Sequence, residues 1–295
     1  SPTVLLSPGA GDFSVDWALV QPRVAQFARV CSYDRSGDAW SDAGPAPNTM
    51  RQEVSDLHRA LRESGERGPY ILVGHSLGGL VMRVFVENFP DETAGLVLVD
   101  ATSEDTTLSM NGKLVHVRLT AKDRPIPPVQ TMKSGPPVPL TAQDIKDFED
   151  FRKQFGAPKI EPPFDQLPPD AQKLDLWARS QMPKSKPSDN YFAEELQHLY
   201  ERSQKPPAPL GDKPLITIVA ARPDPPPNGV TAAEWQRLVN EKVNEKRAFA
   251  NLSTNSKVIM DEKSGHHIHL DDPGTVVSAI RSICDAAQHH TRLPQ

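Results

Sequence analysis

Short apolar runs alternate with segments of helical period along both ends of the chain. Thr3–Leu6, Val30–Tyr33, Tyr70–Val73, Leu96–Val99, Leu215–Ala220 and Lys257–Met260 are rich in Val, Ile and Leu. Each is too short for a core helix, and none alternates with polar residues. That pattern predicts strands buried on both faces of a parallel sheet. Between them Thr49-Met50-Arg51-Gln52 reads as a capping box, with Val54, Leu57 and Leu61 on one helical face and Gly65 as the stop. Asp272-Pro273 opens a last helix whose stripe is Val276, Val277, Ile280, Ile283, Cys284 and Ala287. Alternating strand and helix predicts an α/β fold with a mostly parallel sheet flanked by helices.

The middle third breaks this pattern. Residues 104–211 carry 16 of the 30 prolines, in groups such as Pro125-Ile126-Pro127-Pro128, Pro162-Pro163 and Pro206-Pro207. Helical stripes lie between the groups. One carries Ile145, Phe148, Phe151 and Phe155 behind Thr141, a second Leu174 and Trp177, a third Phe192, Leu196 and Leu199. The segment therefore reads as a helical insertion with rigid connectors, and residues 1–103 and 212–295 as one core. Its stripes are expected to be covered by the rim of the sheet.

Composition narrows the function. The 295 residues carry a net charge of −5, which supplies no electrostatic footprint for nucleic acid. No run approaches the length needed to cross a bilayer. Two cysteines, Cys31 and Cys284, exclude a disulfide scaffold and are expected as buried free thiols.

The chemistry is concentrated at Gly74-His75-Ser76-Leu77-Gly78, directly after the run Tyr70–Val73 and before a segment with Leu80, Val81, Val84 and Phe85. G-x-S-x-G between a strand and a helix makes a sharp turn that lifts the serine hydroxyl above the sheet. It also aims the Leu77 N–H, at a helix N-terminus, toward an attacked carbonyl. A serine needs a base. Ser264-Gly265-His266-His267-Ile268-His269 follows the last strand, and His266, next to the turn glycine, is preferred over His267 and His269. Two carboxylates compete for the third place. Asp224 sits between Pro223 and Pro225 after the run Leu215–Ala220 and is preferred; Asp100, ending the run Leu96–Val99, is the rival, with a turn role as its plainer reading. His267-Ile268-His269-Leu270-Asp271 also spells H-x-H-x-D, part of a metal-hydrolase signature. Without further His ligands in suitable loops it predicts no metal, and no cofactor is expected.

Together these residues resemble the α/β-hydrolase superfamily, specifically its capped esterase and lipase-like members. The resemblance covers both ends of the chain. Ser7-Pro8-Gly9-Ala10-Gly11 stands where that family has its H-G-x-G oxyanion loop, with Pro8 for the usual His, and Ala10 matches the position of the N–H donor. Tyr33-Asp34-Arg35-Ser36-Gly37 resembles the D-x-x-G segment, whose usual role is structural. Ala221-Arg222-Pro223-Asp224 resembles the G-x-x-D acid loop, and Gly265-His266 with Pro273 the histidine loop. The family places its caps where 104–211 lies. It also has strands ahead of the one at Thr3 and often a secretion signal, so a secreted or periplasmic protein with its N-terminal segment removed is expected.

The resemblance implies ester cleavage by Ser76, His266 and Asp224, with Ala10 and Leu77 N–H groups holding the oxyanion, on a small-molecule ester with an apolar acyl or aryl group. Position 76 is Ser, which excludes the Asp nucleophile of dehalogenases and epoxide hydrolases. Two alternatives remain. A proline-iminopeptidase-like amidase needs an acidic clamp, for which Glu194 and Glu195 are candidates, although such residues more often form a solvated helix face. A catalytically inert binding protein on the same fold would need no triad. A protein-interaction module built on the prolines is disfavoured, because helical stripes interrupt them.

Overall fold

A computed structural model of the chain describes residues 2–110, 113–121, 135–186, 191–222, 225–226 and 229–294. Among them, six strands form one parallel sheet: β1 (Thr3–Ser7), β2 (Val30–Ser32), β3 (Tyr70–His75), β4 (Thr93–Val99), and, after a separate two-stranded ribbon of β5 (Thr107–Met110) and β6 (Lys113–His116), β7 (Leu215–Ala220) and β8 (Ser256–Asp261). The order in the sheet is β2-β1-β3-β4-β7-β8. The helices are α1 (Gln21–Val24), α2 (Met50–Glu63), α3 (Leu77–Asn88), α4 (Ala142–Phe155), α5 (Pro169–Ser180), α6 (Phe192–Ser203), α7 (Ala232–Ala248), α8 (Ile268–Asp271) and α9 (Pro273–His289).

Strand parity sorts the core into two layers. Leu5, Leu72, Leu96 and Leu98 face α2 and α3, where they meet Val54, Leu57, Leu61 and Phe85. Val4, Leu6, Ile71, Val73, Val97 and Val99 face the other way, onto Val24, Val276, Ile280 and Ile283. Both faces are covered, so the strands carry no alternation of polar and apolar positions. Cys284 is buried and free, as expected; Cys31, on the edge strand β2, is free and only partly buried.

The chain passes from β4 into the proline-rich segment at Asp100. The start of that segment is anchored by a buried ion pair, in which Arg83 Nη2 donates to Glu104 Oε1 at 2.9 Å. Helix α6 then returns to the core through Leu196 and Leu199. Its Glu195 lies across the start of α2, accepting from the Met50 and Arg51 N–H groups at 3.0 Å each. Thr49 Oγ1 accepts from the Gln52 N–H at the same helix end. The first turn of a helix has N–H groups without helical acceptors, and a carboxylate there is favourable on both counts. Glu194 and Glu195 are therefore buried and not a solvated face. On α5, Arg179 is held by Asp175 at 2.8 Å, lies over the Phe164 and Phe13 rings and donates to the Gly11 carbonyl at 3.2 Å.

Two expectations for this segment need correction. It is not purely helical, since β5 and β6 form a hairpin at its start. Its apolar stripes are also not all covered. Leu174 and Trp177 are 47% and 41% exposed, and Phe151 and Phe155 are 53% and 64% exposed. The buried side of α5 is Ala171, Asp175 and Ala178, with Ala171 packed on Leu270, Ala178 on Phe13 and Ala39, and Asp175 holding Arg179. The Pro125–Pro128 group lies outside the described residues.

Replacing Glu195 with Ala would leave the Met50 and Arg51 N–H groups buried without acceptors. We expect a loss of about 1–3 kcal/mol, read as a lowered thermal midpoint; an unchanged midpoint would show that the contact between α6 and α2 contributes nothing net.

Candidate active site

Ser76 occupies the turn between β3 and α3 at φ 49° and ψ −119°, a region that side chains avoid unless their surroundings impose it. The surroundings are backbone. A Cβ at position 74 would stand 2.4 Å from the Gly78 carbonyl oxygen, and one at position 78 would stand 2.4 Å from the Ser7 carbonyl oxygen. Glycine at both places lets β1, β3 and α3 meet this closely. The Ser76 N–H donates to Val99 O at 3.2 Å, and its carbonyl accepts from the Thr102 N–H at 3.0 Å, so the turn is also tied to β4. Ser76 Oγ lies 3.4 Å from Thr102 Oγ1.

Two cavities meet at Ser76. One, of about 470 Å³, has Ala10, Leu77, Met50, Leu108 and Phe192 in its wall. The other, of about 560 Å³, is lined by His266, Phe164, Trp235 and Lys246 among others. Ala10 and Leu77 thus flank the serine on the same side. Leu77 is the first residue of α3, where the N–H has no helical acceptor. The loop bearing Ala10 is braced by Arg35, which donates to the Pro8 and Gly9 carbonyls at 2.7 and 2.5 Å. The sequence signal of Arg35 was the Tyr33–Gly37 segment.

The loop after β8 carries the histidines, and each has a different surrounding. His266 lines the larger cavity, and its Nδ1 lies 2.7 Å from Asp100 Oδ2. His267 turns its Nε2 toward Asp12 at 3.7 Å. His269 is buried against Trp17, ring centroids 4.8 Å apart. Asp224 lies outside the described residues. The carboxylate on His266 is that of Asp100, the rival candidate. It follows β4 at φ 40°, and its Oδ1 accepts from the Ala220 N–H at 2.9 Å. Its Oδ2 also accepts from Lys246 Nζ at 2.5 Å. Burial alone would raise the Asp100 carboxyl; the Lys246 ammonium and then His266 more than reverse this and hold it well below the usual carboxylate range. Lys246 had no sequence signal, since it lies in the charged run Glu241–Arg247 of an outwardly solvated helix.

His75, the variable residue of the motif, lies between Asp12 and His266. Its Nδ1 is 3.1 Å from Asp12 Oδ2, and its Nε2 is 3.0 Å from the His266 carbonyl oxygen. Asp12, His75 and His269 come within 4.8 Å of one another at their polar atoms. The His75 contacts to Asp12 and to the His266 carbonyl place the trio directly under the loop that carries His266. The H-x-H-x-D residues diverge: His267 turns toward Asp12, His269 is buried against Trp17, and Asp271 bonds the Gly265 N–H at 2.8 Å and Arg222 at 2.7 Å.

A parallel sheet in this strand order, a G-x-S-x-G turn after β3 and a histidine after β8 define a hydrolase fold of the α/β class. The chain belongs to the Alpha/beta hydrolase family, whose profile matches residues 4–279. An uncharacterised protein of Schizosaccharomyces pombe is 38% identical over 87 residues, 30% of this chain and 16% of that protein. A putative carbamate hydrolase, RutD, of Cronobacter turicensis is 27% identical over 162 residues, 55% of this chain and 56% of the other. The chain thus spans well under two thirds of the curated relatives it matches. Among solved structures, a thermophilic esterase from Thermogutta terrifontis superposes with a TM-score of 0.56 at 17% identity, covering 97% of this chain and 90% of that one. A putative epoxide hydrolase from Pseudomonas aeruginosa gives 0.60 at 15% identity, covering 98% and 90%. These structures share the fold.

If Asp100 is the partner of the base, Asp100→Asn should lower kcat by about 10³–10⁴, because the amide holds the imidazole in the wrong tautomer. Asp224→Asn should retain most of the activity. Steady-state hydrolysis of an aryl ester by the two variants checks this, and the opposite ranking would return the role to Asp224.

Proposed function

We propose that the chain is a serine hydrolase that cleaves carboxylic esters through an acyl-enzyme. The observation that carries this reading is the 2.7 Å contact of His266 Nδ1 with Asp100, in a cavity that also exposes Ser76 on its strained turn. Ser76 Oγ attacks the ester carbonyl. His266 Nε2 takes the hydroxyl proton and passes it to the leaving alcohol, while Nδ1–H donates to Asp100. The N–H groups of Ala10 and Leu77 receive the oxyanion, an interaction whose removal typically costs about 10²–10³ in rate. Water, activated by the same imidazole, then releases the acid. Asp100 takes the place that the sequence reading preferred for Asp224.

Met50, Leu77, Leu108 and Phe192 in the 470 Å³ cavity support a substrate with an apolar acyl or aryl group. Leu108 and Phe192 belong to the segment 104–211, which supports its reading as a cap that governs substrate choice. The amidase alternative needs a carboxylate free to hold a substrate ammonium. Glu195 already engages both oxygens with the start of α2, which favours the ester reading. The carbamate hydrolase among the relatives and the esterase among the structures agree with acyl transfer.

A fluorophosphonate probe should label the wild type and not Ser76→Ala. In p-nitrophenyl ester assays Ser76→Ala and His266→Ala should both fall by roughly 10³–10⁶, since these residues act as a unit. His267→Ala should keep most of its rate. A fully labelled Ser76→Ala variant, or an inactive His267→Ala beside an active His266→Ala, would defeat the assignment.

A further inference from the structure

The acid of the proposed triad has two nitrogen partners on one oxygen. His266 Nδ1 and Lys246 Nζ lie 2.7 and 2.5 Å from the same Asp100 Oδ2. Oδ1 accepts from the Ala220 N–H. Asp100 is 2% exposed and the Lys246 side chain 15%, while the His266 side chain is 38% exposed, so the Lys246–Asp100 contact is shielded and the imidazole faces the cavity. Lys246 reaches the carboxylate from the last turn of α7.

In a Ser-His-Asp site the carboxylate orients the imidazole and stabilises the imidazolium. An ammonium fixed on the same oxygen leaves the orientation intact and divides the stabilising charge. It also repels the imidazolium once formed. The ammonium and an imidazolium therefore compete for one carboxylate oxygen. We propose, on the reading of Asp100 as the triad acid, that Lys246 is a positioning residue that sets the acid limit of activity by sharing Asp100 with the base.

The other charged groups around His266 are the same with or without Lys246. From the core these are His75, 4.7 Å away between ring centroids, with Asp12 behind it. His267 is 5.3 Å away on the same loop, and Asp271 with Arg222 lines the cavity mouth. From α7 come Lys242 and Glu245. Glu245 is the one to control, because burial pushes its carboxyl up to about 7, into the same pH window.

The test is the pH profile of kcat/KM from pH 4.5 to 9 for the wild type, Lys246→Met, Lys246→Arg and Glu245→Gln, on a p-nitrophenyl ester. Lys246→Met should move the acid limb upward by about 0.5–1 pH unit, a discounted form of the shift that one nearby charge produces. Lys246→Arg, which keeps the cation, should return it toward the wild-type position, and Glu245→Gln should leave it. An acid limb that stays in place in Lys246→Met, with only the thermal midpoint lowered, would make Lys246 an anchor of α7 and overturn the proposal. So would a limb that follows Glu245→Gln. Should Lys246→Met fold poorly, the rate of fluorophosphonate inactivation against pH, normalised to titrated active sites, gives the same limb for the folded fraction. Asp100→Asn separates the two readings. Full activity there defeats the triad assignment itself, whereas collapse there with an unmoved limb in Lys246→Met defeats this inference alone.

Discussion

The structure is organised around one close approach of backbone. Residues 74 and 78 stand so near the Gly78 and Ser7 carbonyls that a Cβ at either place would overlap them at 2.4 Å. Only because both are glycine can α3 start directly over the end of β3 and against β1. The turn between them holds Ser76 in a conformation it would not choose alone, with β4 fastening it from the other side. Such strain is tolerated where the rest of the fold over-determines it. Here the two-layer core supplies that excess, with strands β1, β3, β4 and β7 buried on both faces.

Charge is handled the same way, by geometry set elsewhere. Asp100 and Ser76 end neighbouring strands, and both sit at positive φ. A buried carboxylate is unfavourable unless paired and hydrogen-bonded, and Asp100 has a backbone N–H, an imidazole and an ammonium. Arg35 does the equivalent work for the loop bearing Ala10, taking two carbonyls while its own charge sits near Asp38 and Glu53. The site is a set of buried ions that stabilise one another, and each comes from a different element.

The segment between β4 and β7 docks through polar contacts more than through grease. Glu195 covers the start of α2, Arg179 sits among Asp175, Phe13 and Phe164, and Arg83 pairs with Glu104. Such contacts are directional, so they set where α5 and α6 lie even while Leu174 and Trp177 remain in solvent. Periodicity showed that these stretches are helices, but not which side of each would be turned inward.

What the sequence determined by itself is what local pattern can carry. Runs such as Tyr70–Val73 and Leu96–Val99 could only be strands buried on both faces, and a G-x-S-x-G between strand and helix could only be a sharp turn bearing Ser76. His266 was preferred among three histidines for its place next to the turn glycine after the last strand. The carboxylate was beyond that reach. Asp224 and Asp100 both follow a strand, and spacing ranks them by loop chemistry alone. Asp100 stands on His266 because β4 lies between β3 and β7, bringing residues 166 positions apart within 2.7 Å. The same holds for Lys246, a charged residue in a charged stretch that no local rule distinguishes from a solvated surface. Both roles are decided by which strands are neighbours and how far a helix reaches, and those are properties of the folded sheet.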